Sequence, residues 1–267
     1  FFSDKYEYLN LDNRHDRKVI LNGSFSADKK LFIFDEIHKY KNWKNYLKGE
    51  YDKYKERFHI LVTGSARLDI YKKGGDSLLG RQQSYRLHPL SLSELLKTNI
   101  NAAPFKELVF TSSDKSQKDL FGTLLKFGGF PHVFIKQSEK ELRRWHNEKI
   151  DRLIKEDIRD IENLKDISAL QVLVELLPSK VGSLFSMNSL KEDLKVTHKT
   201  ISLWTDILEK FYYHFRIYPF QSSMIKSLRK EPKLYLWDWS EIPDENVRFE
   251  NMIASGLLKF CNFLFDV

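Results

Sequence analysis

Two carboxylates side by side, Asp35 and Glu36, close the apolar run Leu31-Phe-Ile-Phe34. Adjacent anions at such a place are costly unless something cationic meets them. In nucleotide hydrolases the first acid helps to hold Mg²⁺ and the second orients or deprotonates the attacking water. A second apolar run, His59-Ile-Leu-Val62, ends in the small polar stretch Thr63-Gly-Ser65. The competing reading of Asp35-Glu36 is a buried strand that ends in a solvated acidic turn. The pair alone leaves both readings open.

The elements around these residues narrow the choice. A continuous apolar run of this length reads as a strand buried on both faces, as in a parallel sheet flanked by helices. Ligands of such sheets sit outside the carboxyl ends of the strands, where Asp35 and Glu36 would emerge. Tyr6-Glu-Tyr-Leu-Asn-Leu-Asp12 is a third run that ends in an acid. Between the runs, Asn13 to Lys30 predicts a polar helix or loop, and Tyr40, Trp43 and Leu47 stand at helical spacing.

Taken with Ser77-Leu-Leu-Gly-Arg81 and Tyr85-Arg-Leu-His-Pro-Leu-Ser-Leu-Ser-Glu-Leu95, this series resembles the prokaryotic AAA+-type ATPases of the AAA_14 kind. Their C-terminal half is of uncharacterised function. The resemblance extends to Phe127-Gly-Gly-Phe-Pro131, Asp157-Ile-Arg-Asp160, Lys233-Leu-Tyr-Leu-Trp-Asp238 and Arg248-Phe-Glu-Asn251, and so covers nearly the whole chain. It implies an α/β fold of P-loop NTPase type with ATP and Mg²⁺ as cofactors. Asp35 is then the Walker B acid on the metal, Glu36 activates water, and Thr63 and Ser65 are candidates for sensing phosphate, Ser65 being preferred. Arg81 would stabilise transition-state charge on the transferred phosphoryl group, with Arg86 a weaker candidate.

One part of that machinery is missing. No Gly-x-x-x-x-Gly-Lys-Ser/Thr occurs in the 267 residues. That loop supplies the backbone amides and the lysine that hold phosphates. By the family pattern it would precede Phe1, so the chain reads as a fragment, inactive as it stands and needing the intact protein for ATP and Mg²⁺. The family strand order 5-1-4-3-2 assigns Tyr8–Leu11, Leu31–Phe34, Ile60–Thr63 and Tyr85–Leu87 to strands 2, 3, 4 and 5. Strands 2, 3 and 4 should pair in parallel, while strand 5, having lost its neighbour, should be displaced or irregular.

The expected organisation is therefore a partial parallel AAA+-like sheet over residues 1–96, a connection and helical lid-like region over 97–165, a winged-helix module over 166–232, and the start of a C-terminal α/β domain over 233–267. Ser91 with Glu94 predicts a helix start. Residues 98–119 read as a variable connection, and Glu139 to Leu164 as one or two charged helices over an apolar stripe. In the winged-helix segment, helices are expected at Ser168–Leu177, Ser189–Leu194 and from the cap Thr197 to Lys210. Two short strands should follow within Phe211–Tyr218. Ile201, Trp204, Leu208 and Phe211 face the core, which turns His198, Lys199 and Ser202 outward, where such a helix meets duplex DNA. Asp206 and Glu209 on the exposed side would repel phosphates. The alternative function is thus a non-catalytic DNA- or protein-binding module. Beyond Lys233 a strand Leu234–Trp237 and a helix from Arg248 are expected, with Glu250 in a structural role.

Composition sets the outer bounds. The balance of 44 basic against 37 acidic residues gives +7, compatible with a polyanionic partner without requiring one. A single cysteine, Cys261, excludes an internal disulfide framework and a cysteine-rich zinc site. No apolar stretch reaches the about 18 residues of a transmembrane helix, so no membrane is expected and the cytoplasm is the default location.

Overall fold

The computed structural model describes residues 5–64, 78, 80–97, 114–158, 166–228 and 230–265. Contacts divide the chain into two units, Phe1–Tyr85 and Arg86–Val267.

In the first unit, β1 (Tyr6–Asn10), β2 (Leu31–Asp35) and β3 (His59–Thr63) pair in that order, all parallel, with β2 in the centre. This is the arrangement expected for strands 2, 3 and 4. Alternation along β2 fully buries Phe32 and Phe34, while Leu31, Ile33 and Asp35 stay half-buried. The expectation of a strand buried on both faces is corrected: the packed core lies on one face. There Ile20 from α1 (Arg14–Asn22) and Trp43 and Leu47 from α2 (Trp43–Tyr54) close over the phenylalanines, with the Phe25 ring 4.9 Å from that of Phe32. Asn13 caps α1 by accepting from His15 N, and Gly23 ends it at φ 62°, a left-handed conformation that glycine adopts without a Cβ clash. Tyr85–Leu87, assigned above to a strand, is irregular, as are all of residues 82–91. Three residues without a neighbouring strand have no ladder to join.

The second unit is mostly helical. After α3 (Leu92–Leu95) come α4 (Lys115–Phe127), α5 (Pro131–Lys136) and α6 (Glu139–Arg152), the last running into a π-helical turn at Leu153–Ile158. Glu94 accepts from Ser91 N at 2.9 Å, the expected helix start. Then follow α7 (Ile167–Lys180), α8 (Met187–Leu194), α9 (His198–Lys210), β4 (His214–Ile217), α10 (Met224–Leu228), β5 (Lys233–Leu236) and α11 (Glu245–Phe265). Leu173, Leu177, Leu190, Ile201 and Leu208 are buried among these helices.

β4 and β5 are antiparallel, with His214 opposite Leu236, and Leu184 adds an isolated bridge to Lys233. Two strands within Phe211–Tyr218 are therefore not formed. Residues 211–213 are held instead by the end of α9, where Phe211 N bonds to Ile207 O and Tyr213 N to Leu208 O. The partner of β4 comes from the segment expected to open a further domain. Among the described residues no helix is long and apolar enough to cross a membrane.

Candidate functional site

The parallel register sets Asn10, Asp35 and Thr63 in one row across the carboxyl edge of the sheet. Asp35 accepts on both carboxylate oxygens. Thr63 Oγ1 reaches Oδ1 at 2.7 Å and Glu36 N reaches it at 3.1 Å, while the Tyr8 hydroxyl and Asn10 Nδ2 (3.3 Å) donate to Oδ2. Partial burial works against the charge. The bonds from Tyr8, Thr63 and Glu36 N outweigh it and hold Asp35 below its ordinary value, and the bond to Asp35 raises the Tyr8 phenol.

Glu36 stands at φ 57°, a left-handed conformation rare for a residue with a side chain. Its amide also bonds to Thr63 O at 3.2 Å, and its carboxylate lies 3.3 Å from Lys39 Nζ, which Asp12 holds at 2.6 Å. Hydrogen bonding to Asp12 raises Lys39 above its ordinary value.

The donor set here is oxygen-rich and small: the Asp35 carboxylate, the Tyr8 and Thr63 hydroxyls and the carboxylate of Glu36 next in sequence. Among the described residues no group of three or more His, Cys, Asp or Glu gathers to hold a metal. That chemistry fits Mg²⁺, which favours one or two carboxylates together with water and phosphate oxygens over an all-protein cage.

Of the residues singled out above, Asp35, Glu36 and Thr63 come together. Arg81 bonds through Nε to Asp52 at 3.0 Å and makes no described contact with those three. Ser65 lies outside the described residues. Tyr8 and Asn10 were missed by sequence reasoning. The signal was present: in a parallel sheet, the last alternate residues of a neighbouring strand flank an acid at the central strand's end.

The second unit holds a buried polar cluster. Asp238 accepts from Trp145 Nε1 at 2.8 Å, Lys149 Nζ at 3.1 Å and Ser240 N at 3.2 Å, and Lys149 also pairs with Glu241. Burial opposes both charges, but the Lys149 ammonium keeps Asp238 below its ordinary value, and the two acids keep Lys149 above its own. His146 bonds to Ser240 Oγ at 2.9 Å. Gly128-Gly129 press against this cluster: a Cβ on Gly129 would lie 2.6 Å from Trp239 Cη2 and 2.7 Å from Pro89 Cβ. Glu250 pairs with Lys233 at 3.0 Å and accepts from Tyr235 at 2.8 Å.

A cavity of about 630 Å³ in this unit is lined by Leu90, Phe121, Leu124, Leu257 and Phe260. Its charged lining residues, Glu94 and Lys259, pair with each other. On α9, His198 and Lys199 are exposed and Ser202 is half-buried. Asp206 and Glu209 both bind Arg216, at 2.8 Å from its Nη2 and 2.9 Å from its Nε respectively.

Residues 2–96 match the model of a family described as AAA domain (AAA_14), and residues 118–240 one described as Domain of unknown function (DUF8612). Two uncharacterized proteins of Methanocaldococcus jannaschii are similar over most of the chain. MJ1544 is 27% identical over 252 residues, covering 89% of this chain and 55% of its own length. MJ1637 is 24% identical over 264 residues, covering 88% and 54%. The chain thus spans about half the length of the curated relatives it matches. The parallel sheet of the first unit is consistent with the AAA-like fold that the match over residues 2–96 suggests.

Proposed function

We propose that this chain is part of an AAA+-type switch driven by ATP. The observation that carries the reading is the row Asn10–Asp35–Thr63, which presents an ionised carboxylate and a hydroxyl at the carboxyl edge of a parallel sheet. Asp35 would hold Mg²⁺, exchanging its neutral donors for the cation. Bound there, Mg²⁺ would neutralise charge on the phosphate oxygens. Glu36 would take a proton from water once released from Lys39. Thr63 and Ser65 would bond to the terminal phosphate, and Arg81 would have to leave Asp52 to stabilise it.

The reading requires a phosphate-binding loop that the 267 residues do not contain. This chain is therefore expected to bind Mg-ATP weakly and not to turn it over, which calorimetry checks. Micromolar affinity would mean that another phosphate cradle exists. The direct test is hydrolysis in a chain that includes such a loop. Glu36→Gln should bind ATP and stall, and Asp35→Asn should lose the Mg²⁺ dependence. Undiminished turnover in both would overturn the assignment.

A second reading, a winged helix that contacts duplex DNA, is favoured by one specific arrangement. A winged helix would account for the order α7, Leu184, α8, α9, β4, α10, β5, with Leu184 bridged to Lys233. The repulsion expected from Asp206 and Glu209 is relieved because Arg216 binds both. Lys199→Ala should weaken binding to any duplex and lower its salt slope by about one unit. Salt-independent binding would assign the module to protein contacts.

A further inference from the structure

The segment between β4 and β5 carries apolar side chains that nothing described covers. Phe220 is 97% exposed, Ile225 68% and Leu228 53%. The segment is nonetheless built: Ser227 Oγ donates to Pro219 O at 2.8 Å, and Ser223 Oγ accepts from Lys226 N at 3.3 Å at the start of α10. Closing α10 back on Pro219 leaves Phe220, Ile225 and Leu228 facing water. Apolar side chains grouped on so short a segment suit insertion into a partner better than reception of a ligand, which needs a cleft.

The charges indicate what. Lys226 stands between Ile225 and Leu228, and Lys230 follows. Among the described residues neither pairs with a carboxylate, whereas Lys233, at the foot of the projection, is taken up by Glu250. Apolar side chains interleaved with unmatched ammonium groups suit the boundary between acyl chains and anionic headgroups. A DNA duplex suits them less. It could accept one apolar wedge, but Ile225 and Leu228 would then lie against phosphates.

We propose that this projection docks the protein on an anionic lipid surface, with Phe220, Ile225 and Leu228 entering the headgroup boundary and Lys226 and Lys230 meeting lipid phosphates. The inference is independent of nucleotide binding.

Co-sedimentation with phosphatidylcholine vesicles, with and without phosphatidylglycerol, tests it on the whole chain. The protein should pellet with the anionic vesicles and much less with the neutral ones. Phe220→Ser should lower the partition coefficient roughly tenfold, and Lys226→Gln roughly fivefold. Both positions are exposed, so the melting temperature should not move, and the loss then reports the contact itself. Absence of pelleting, or pelleting unchanged by Phe220→Ser, would overturn the proposal. So would a variant that weakens a duplex complex, or breaks up self-association, when no lipid partition is seen. Those results would assign the projection to nucleic acid or to a second copy of the chain.

Discussion

Asp35 and Asp238 are both hydrogen-bonded on both carboxylate oxygens and both held below their ordinary values, yet the causes differ. Asp35 sits half-buried at a sheet edge, and its partners are neutral: a phenol, a threonine hydroxyl, an amide side chain and a backbone N–H. Asp238 is 1% exposed and faces an ammonium group. Neutral donors at an edge exchange for water or a cation at small cost, whereas a buried ammonium has nowhere to go. A depressed carboxylate is therefore no mark of function by itself. What separates the two is whether the charge can be reached and its partners replaced.

Removing the cation from the second cluster should give the largest effect. Lys149→Met leaves Asp238 and Glu241 buried together, and urea melts should show about 3–5 kcal/mol of lost stability. A loss below about 1 kcal/mol, the scale of a surface pair, would erase the contrast with Asp35.

A pH series sharpens the comparison further. Burial holds His214 at about 3, against an ordinary value of 6.5, with its ring bonded to Thr205 O at 3.1 Å. Because the folded value is lower, the unfolded chain takes up the proton first. The stability from neutral His214 is complete above pH 6.5 and falls as pH drops toward 3. Melts should lose roughly 1–2 kcal/mol between pH 6.5 and about pH 5, and His214→Leu should flatten that slope. Asp35 and Asp238, also lowered, contribute above 3.8 and lose their contribution only in stronger acid.

Gly129→Ala should cost about 1–3 kcal/mol by overpacking against Trp239 and Pro89, seen as a lower melting temperature. Asp35→Asn should have the smallest effect on stability, about 1 kcal/mol, because its lost donors can turn to water at the sheet edge. It should still abolish any Mn²⁺-induced relaxation of Tyr8 and Thr63 resonances. Substantial unfolding by Asp35→Asn would break the comparison from its other side.

The sheet was legible because its signal is local: three short apolar runs ending in polar residues fix strands, direction and the emergence of Asp35. Helix starts were legible for the same reason, as Thr197 and Ser91 show. Burial on one face only was not legible, because Leu31 and Ile33 look the same in sequence whether covered or half-exposed. The pairing of β4 with β5 was hidden because it joins distant segments, and Tyr212, at φ 57°, turns the chain where two strands were expected. Lys149 with Asp238 was invisible too, since a lysine on a charged helix reads as solvated until the fold buries it. Arg216 answered Asp206 and Glu209 from a neighbouring strand, which helix periodicity cannot foresee.

The segment that follows the first unit is tied by hydrogen bonds into the second. Leu90 N bonds to Gly129 O at 2.7 Å, Lys259 Nζ bonds to Pro89 O at 3.0 Å, and both anchors belong to the second unit. Yet the AAA-type match runs on to residue 96. A second half cut at residue 96 would be stripped of the strap that packs against its glycine turn. Separate expression of the second unit should therefore start at Arg86, so that Pro89 and Leu90 stay with Lys259 and Gly129.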